Sequence, residues 1–459
     1  MTTAAANAVP RTWSSNLLFL IAAIGTEAGI ANVWKFSYLA GVNGGGLFVA
    51  LYFIALVVLA IPALMAEMLL GRIGGRSVVG NMQVLVQRHG IARGWAAFGW
   101  LALVSIFLIL SFYFVVCGWM LYYFVLSLTH GFAGVTAESA EAMQATMMAS
   151  PVAMLACSGF FVATTAFVIS FGVNKGIERV AGILTPLRFL ILIGLLCFAV
   201  VYGSAGEAAR FLFVPDFSLI SWDIVIAAVG QAFFSLGIGV GVMMTMGAYM
   251  KPEYSISKAV VTVAVAQGLV ALLAGMSIFP LVFHFHLAPA QGPGLIFVTL
   301  PVAFAQMPGG VVFGALLFML LSFAALTATI VMQESIVAWL EERTRMSRRK
   351  LAWLSGLAIW LTGFITVLSF NHWKDVHPLT WFGVASTKTP FDLLDYLTSN
   401  ILMPLGGLMV ALVAGWALSR EVVARELRMA HPALFAAWRL AVRWIVPVGV
   451  VIIFISIQG

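Results

Sequence analysis

An unusual polar stretch interrupts the first long apolar segment of the chain, which runs from about Trp13 to Tyr38 and is long enough to cross a bilayer. The stretch reads GTEAGIAN at residues 25–32 and includes the carboxylate of Glu27 and the amide of Asn32. A carboxylate at this depth costs several kcal/mol unless it faces a cavity or a partner. A helix that unwinds here offers carbonyl oxygens to a cation and N–H groups to an anion. The stretch alone is equally compatible with a glycine-rich packing face on which a neighbouring helix caps Glu27.

A second interruption lies near the middle of the chain. Residues 230–241 read GQAFFSLGIGVG, with Gly237, Gly239 and Gly241 at every second position. A glycine inside a helix costs about 0.5–1 kcal/mol relative to alanine, so this run is a poor helix interior. By itself it could be a small-residue packing face. Two such interruptions in one chain indicate two broken helices around a shared site.

The composition indicates a membrane environment for these segments. Of the 459 residues, 62% are hydrophobic and 9% are charged, with a mean hydropathy of +1.06. These values predict an all-α membrane protein and argue against a soluble domain. Cys117, Cys157 and Cys197 lie within apolar runs, which favours neither a disulfide framework nor a metal site. We expect about 11 transmembrane spans, at roughly 14–38, 47–70, 95–128, 152–172, 181–204, 223–250, 258–287, 310–341, 352–370, 391–419 and 434–457.

The two interruptions occupy equivalent places in a five-plus-five arrangement of spans. They fall in the first and sixth spans, and a repeated unit with an odd number of spans inserts with inverted topology. We therefore predict a 5+5 inverted-repeat core with broken helices 1 and 6 and a binding site at the bilayer midplane. Its parts are a cytoplasmic N-terminal segment (1–13), a first repeat of spans 1–5 (14–204), a second repeat of spans 6–10 (205–420) and span 11 (421–459).

Basic residues set the predicted orientation. With the N-terminus inside, all but four of the 24 Lys and Arg residues fall on the cytoplasmic side, and Arg188 at the start of span 5 is counted among them. The exceptions are Lys35, Arg210, Lys374 and Lys388. The positive-inside rule then predicts a multi-pass protein of the inner-membrane type, with a cytoplasmic N-terminus and an external C-terminus. The net charge of +7 reflects loop placement, and no nucleic-acid partner is expected.

Further polar side chains lie within or beside the spans. Glu67 is a second intramembrane carboxylate, for which we favour hydrogen bonding to an unwound neighbour over contact with a substrate. Tyr113 in span 3 can present its hydroxyl to a ligand, although an isolated tyrosine more often packs with a satisfied hydroxyl. Asp395 is placed at the outer mouth of span 10, opposite Lys35.

The polar residues do not form the constellations of an enzyme. The sequence contains no nucleophile–base pair or metal-ligand cluster at a plausible spacing. His284 and His286 have no Asp, Glu or Cys close by in the sequence. We therefore predict a protein without catalytic residues.

Several motifs together resemble the neurotransmitter:sodium symporter family, and more closely its shorter, eleven-span bacterial amino-acid branch. Single pieces such as GGG would be weak evidence, but the motifs follow one another in order over almost the whole chain. They are NVWKF (32–36), NGGG (43–46), EMLLGR (67–72), GIE (176–178), GQAFFS (230–235), residues 288–310, LT (326–327) and residues 391–407.

The resemblance implies a ten-helix inverted-repeat core and alternating access driven by sodium. A substrate carboxylate would meet N–H groups around Gly29 and the Tyr113 hydroxyl, with Phe234 as an aromatic lid. The partners implied are a small amino-acid-like molecule and the lipid bilayer. The implied substrate site comprises Glu27, Ala28, Gly29, Ile30, Ala31, Ile109, Tyr113, Phe234, Ser235, Gly237, Gly239, Val240, Ala328 and Met332.

The resemblance also implies cation sites and gates. The first sodium site would comprise Glu27, Asn32, Ser235 and Gln267. The second would comprise Gly25, Ala28, Ala324, Thr327 and Ala328. The outer gate would comprise Lys35, Gln231 and Asp395, and the inner gate Arg11 and Glu342.

The chain departs from the family pattern at several of these positions. Ala31 stands where glycine is usual, Ser37 where proline is usual, and Gln267 near a usual Asn or Asp. Ala328 lacks the hydroxyl that usually completes the second sodium site, and a cation site that loses one oxygen binds less tightly unless another oxygen replaces it. Ala271 stands where a chloride site would want a hydroxyl, so no chloride is expected.

Glu27 is the most consequential departure, because it replaces a small neutral residue. Its carboxylate would strengthen the first sodium site, carry a proton in place of an ion, or pair with a cationic group on the substrate. The sequence therefore predicts a symporter, coupled to one or two sodium ions, for an amino acid or related small zwitterion. Proton coupling through Glu27, or a non-transporting sensor or accessory protein of the same fold, is the alternative.

Overall fold

The computed structural model describes residues 12–27, 29–129, 131–287, 294–383 and 386–456, and these residues form helices and no strands. Nine of the helices within these ranges are long and apolar enough to cross a membrane. We number them as spans 2–5 and 7–11: Gly46–Gly74, Arg93–Thr129, Pro151–Ser170, Val173–Tyr202, Ile256–His284, Gly310–Arg343, Arg348–Ser369, Pro390–Ala417 and Pro432–Phe454.

Spans 1 and 6 are each broken. Span 1 consists of Asn16–Glu27, followed by Ile30–Val33 and Lys35–Val42. Span 6 consists of Trp222–Ser235 and Val242–Ala248, and non-helical backbone joins the two parts. The predicted interruption of both spans is confirmed.

Glycine conformations produce the break in span 6. Gly237, Gly239 and Gly241 have φ angles of +51°, +88° and +89°. Residues with a Cβ atom rarely adopt positive φ, because the Cβ collides with the backbone. The alternating glycines are therefore required by the path of the chain and are not merely a packing face.

Glu67 in span 2 accepts hydrogen bonds from backbone N–H groups that this break leaves without helical partners. Its Oε2 accepts a hydrogen bond from the Gly239 N–H at 2.8 Å, and its Oε1 accepts one from the Gly241 N–H at 3.0 Å. Glu67 itself is fully buried. The capping role favoured for Glu67 is confirmed by these two bonds.

Shorter helices connect the spans, and some of their side chains pack against the core. Phe297 belongs to one of them and packs on Trp119, Tyr123 and Phe318, with ring centroids 6.0, 4.9 and 6.1 Å away. These helices are Val78–His89, Ala137–Met148, Ala205–Phe213, Leu295–Ala305 and Arg420–Leu427.

Large apolar side chains cover the outer surface of the bundle. Leu17, Val152 and Trp222 are 66%, 78% and 74% exposed. Extensive apolar exposure is unfavourable in water, whereas a bilayer solvates such side chains and excludes unpaired polar backbone. The surface therefore fits the predicted lipid environment.

One basic residue does not lie where the sequence placed it. Span 5 begins at Val173, well before the predicted start at 181, so Arg188 lies inside the helix. Its side chain is 5% exposed. Counting Arg188 among the charges of the cytoplasmic side was wrong, because it is buried between helices.

We predict that Glu67→Ala destabilises the fold. The substitution leaves two buried N–H donors without an acceptor, at about 1–3 kcal/mol each. The melting temperature of the detergent-solubilised protein, measured by size-exclusion chromatography after heating, should fall clearly. Glu67→Gln keeps one acceptor oxygen and should fall less. The matched control is Glu138→Ala at an exposed glutamate, and equal melting temperatures for the two alanine variants would contradict the capping role.

Candidate functional site

The breaks in spans 1 and 6 lie side by side. The side-chain N–H₂ of Gln267, in span 7, donates to the Glu27 carbonyl at 2.6 Å and also to the Ser235 carbonyl. The carboxylate of Glu27 approaches Gly237 so closely that a Cβ built on this glycine would lie 3.2 Å from Glu27 Oε2. The two unwound segments therefore form one polar pocket inside the bundle.

The residues expected at the first sodium site are brought together here. Asn32 Nδ2 donates to the Glu27 carbonyl at 3.4 Å, and the Ser235 hydroxyl lies 3.2 Å from the hydroxyl of Tyr52. In the described part of the chain, Asn32 Oδ1 and Gln267 Oε1 are buried and have no hydrogen-bond partner. Two buried amide oxygens beside two backbone carbonyls are the kind of group that coordinates a hard cation.

The residues expected at the second sodium site also converge, but around Arg188, a side chain not predicted to lie there. The Thr327 hydroxyl donates to the Gly25 carbonyl at 2.7 Å and lies 3.0 Å from the Ala324 carbonyl. Arg188 Nη1 donates both to the Gly25 carbonyl and to Thr327 Oγ1, each at 3.2 Å. Ala328 is buried nearby on span 8, and Ala28 lies outside the described residues.

Some of the expected substrate residues lie at the two breaks, and others lie on neighbouring spans. A Cβ built on Gly29 would lie 3.5 Å from the Tyr113 hydroxyl, which therefore faces the break in span 1. Ile30 and Ala31 belong to the short helix that follows the break. Val240 is buried in the break of span 6, and Ile109 and Met332 are half-buried. The N–H of Gly239 is used by Glu67 and is not available to a ligand.

A vestibule of about 200 Å³ lies on one side of the pocket, and Lys35, Gln231 and Phe234 are among its lining residues. The Lys35 ammonium lies 3.8 Å from the centroid of the Phe234 ring. Asp395 Oδ1 accepts a hydrogen bond from the Ser399 hydroxyl at 3.0 Å. Among the described residues, Lys35 and Asp395 do not form an ion pair. In this conformation Lys35 therefore covers Phe234 without a salt bridge to Asp395.

Trp13 and Ser14, near the start of the described residues, close the end of the pocket opposite the vestibule. The Trp13 N–H donates to the Tyr249 carbonyl at 3.2 Å. The Ser14 N–H and hydroxyl both donate to Glu178, each at 2.6 Å, and Lys251 Nζ donates to the Ser14 carbonyl at 3.3 Å.

The expected inner gate is only partly described. Glu342 accepts hydrogen bonds from the Ser77 N–H and hydroxyl, each at 2.7 Å. Arg11, its expected partner, lies outside the described residues. The nearby Tyr249 hydroxyl donates to Glu334 at 2.9 Å, and Arg348 pairs with both Glu334 and Glu341.

These features define a class of protein. A helical bundle whose first and sixth spans unwind side by side, around a pocket of bare carbonyls and amides, has the architecture of a secondary transporter built from inverted repeats. Hydrogen bonds of Ser14 close the pocket at one end, and Phe234 and Lys35 separate it from the vestibule at the other.

Comparison with known proteins agrees with this class. The profile of the Sodium:neurotransmitter symporter family matches residues 10–150 and 152–457. The sodium-dependent transporter YhdH of Bacillus subtilis is 36% identical over 98% of each chain, and a sodium-dependent transporter of Haemophilus influenzae is 33% identical over 97% of this chain and 98% of its own. The crystal structure of MhsT in complex with L-phenylalanine superposes with a TM-score of 0.87, at 34% identity, over 97% of this chain and 99% of MhsT.

The chain belongs to the sodium:neurotransmitter symporter family. It is therefore a multi-pass membrane transporter of a sodium-dependent family and not an enzyme. The predicted fold class, with its inverted-repeat core, is confirmed by the likeness to MhsT.

We predict that Glu178→Ala loosens the closed end of the pocket. Hydrogen bonds to charged groups contribute about 1.5–3 kcal/mol, so amide exchange at Ser14 should become at least about tenfold faster. Hydrogen–deuterium exchange read by mass spectrometry on the peptide around Ser14 measures this. Glu207→Ala, at an exposed glutamate, is the control, and unchanged protection in Glu178→Ala would contradict the role.

Proposed function

We propose that the protein is a sodium-coupled symporter that moves an amino acid or related small zwitterion by alternating access. The observation that carries the proposal is the Gln267 amide, which joins the Glu27 and Ser235 carbonyls of the two broken spans. A group that binds at this junction contacts both halves of the inverted repeat at once. Its binding is therefore coupled to the relative position of the two halves.

One sodium ion at the first site is the best-supported ligand. Asn32 Oδ1 and Gln267 Oε1 are buried without partners among the described residues, and an unsatisfied buried acceptor costs about 1–3 kcal/mol. A half-turn of the Gln267 amide brings its oxygen, in place of its N–H₂, toward the Glu27 and Ser235 carbonyls. A sodium ion coordinated by these oxygens would remove the free-energy cost of leaving Asn32 Oδ1 and Gln267 Oε1 buried without a partner.

In this proposal the substrate binds between Tyr113 and Glu27. Its carboxylate meets the Tyr113 hydroxyl and the backbone at Gly29, which lie close together. Its amino group meets the carboxylate of Glu27, which carries no ion pair to a described residue and is 7% exposed, toward the pocket. A substrate amino group would neutralise the negative charge of the Glu27 carboxylate. Proton uptake by Glu27 is the alternative way to neutralise it. MhsT, in complex with L-phenylalanine, supports a substrate of the amino-acid class.

The remaining parts of the proposal follow from the same arrangement. Phe234 and Lys35 close the pocket toward the vestibule, which we place on the external side. The N-terminus lies in the cytoplasm and the C-terminus outside, in the inner membrane of a bacterium. Basic residues such as Arg348 and Arg349, at the start of span 9, support this orientation through the positive-inside rule. Transport requires no chloride.

Gln267→Leu should raise the sodium concentration for half-maximal uptake at least about tenfold. The leucine has a similar volume but offers no oxygen to the ion, and a charge-assisted contact is worth about 1.5–3 kcal/mol. Uptake of a radiolabelled amino acid, chosen by a thermal-shift screen over the twenty amino acids, is measured in proteoliposomes against external sodium. Gln144→Leu, on the helix Ala137–Met148, is the matched control. Uptake by the unsubstituted protein that ignores every imposed sodium gradient would refute sodium coupling.

Glu27→Gln should weaken binding of the substrate amino group. Loss of the charge removes about 1.5–3 kcal/mol, so the substrate Kd should rise about ten- to hundredfold while the protein remains folded. Thermal-shift titration at several pH values, in sodium and in potassium, measures the effect, with Glu138→Gln as control. An unchanged substrate affinity, ion preference and pH response would mean that Glu27 is only structural.

A further inference from the structure

Arg188 places a permanent positive charge in the centre of the bundle. It projects from span 5, which packs on spans 1, 7 and 8. Its Nη1 lies 3.2 Å from both the Gly25 carbonyl oxygen and Thr327 Oγ1, and 95% of its surface is buried. An arginine keeps its proton at any physiological pH, so this charge is present throughout the working range.

The position of this charge conflicts with a second sodium ion. Gly25 and Thr327 supply two of the oxygens that the family resemblance assigns to that ion, and both already accept hydrogen bonds from Arg188. A sodium ion bound to the same two oxygens would compete with Nη1 for them and lie within a few ångströms of it, and two like charges that close repel in a low-dielectric interior. The residues present therefore fit a guanidinium and do not fit a second ion.

Two neighbouring features are consistent with a guanidinium at this position. Ala328 carries no hydroxyl, so the oxygen that usually completes the second site is missing. Thr185, one turn before Arg188 on span 5, packs so closely on span 1 that a Cβ on Gly25 would lie 2.4 Å from its hydroxyl oxygen. Span 5 is thereby held against the Gly25 carbonyl, which keeps the guanidinium within reach of it.

We propose that the Arg188 guanidinium is a tethered cation that replaces the second sodium ion, so that transport is coupled to the ion at the first site alone. The inference rests on the proposed function for that first ion. Because arginine cannot give up its charge, no ion leaves this position during the cycle. The link between spans 1 and 8, made through Gly25 and Thr327, is then maintained by the protein and not by the sodium gradient.

Equilibrium binding of ²²Na⁺ to the purified full-length protein tests the proposal. The unsubstituted protein should bind one ion per chain with a Hill coefficient near 1. The double variant Arg188→Ala/Ala328→Ser removes the tethered charge and restores the hydroxyl, so it should bind one ion more and show a steeper sodium dependence. Arg179→Ala/Ala328→Ser, in which an exposed arginine of the same span is removed, should bind the same number as the unsubstituted protein. The proposal is overturned if the double variant gains no ion, or if the unsubstituted protein already binds two.

Thr327→Val provides a test that does not depend on folding of the double variant. If Arg188 fills the second position, removing the Thr327 hydroxyl should leave the number of bound ions and their affinity within about twofold of the unsubstituted protein. A tenfold loss of affinity, or the loss of one of two ions, would place sodium at Thr327 and refute the tethered cation. Absence of any ²²Na⁺ binding by the unsubstituted protein would instead refute the first site, while the gain of one ion in the double variant would still support Arg188.

Discussion

The structure depends on one constraint, which is that the backbone exposed by a broken helix must find partners where there is no water. Regular helical hydrogen bonding stops after Glu27 in span 1 and after Ser235 in span 6, and side chains from other spans bond to backbone groups at both breaks. Glu67 supplies acceptors for two N–H groups, and Gln267 supplies donors for two carbonyls. Because these partners come from spans 2 and 7, the breaks are stable only when the whole bundle is assembled. The pocket is therefore a property of the fold and not of either broken span.

Two buried charges of opposite sign lie beside the pocket. Glu27 adds an anion to span 1, and Arg188 adds a cation that reaches span 1 from span 5. Each is expensive to bury alone. Under the proposals above, the anion meets the substrate amine and the cation takes the place of an ion. The two charges would then be complementary, because the chain itself supplies one buried charge of each sign beside span 1.

The sequence was sufficient for the architecture because each break carries a local signature. Glycines at positions that need positive φ, and carboxylates within apolar runs, are visible in the sequence without any knowledge of contacts. Arg188 was missed for a physical reason: an arginine a few residues inside a predicted span is indistinguishable from one that belongs to the adjoining loop. Only the extension of span 5 back to Val173, and its packing on Gly25, reveal that the side chain is buried. The absence of a Lys35–Asp395 ion pair depends on the conformation of the gate and has no signature in the sequence.

The two ends of the pocket are closed by interactions of unequal strength. Toward the vestibule, Lys35 lies over Phe234, and a cation–π contact contributes about 0.5–2 kcal/mol. At the other end, Ser14 makes two hydrogen bonds to the Glu178 carboxylate and a third to Lys251, and hydrogen bonds to charged groups contribute about 1.5–3 kcal/mol each. The contact of Lys35 with Phe234 is therefore weaker than the hydrogen bonds at the other end. Under the proposed alternating access, opening of the other end requires Ser14, just before span 1, to release Glu178 in span 5. Arg188 joins the same two spans through its hydrogen bond to Gly25.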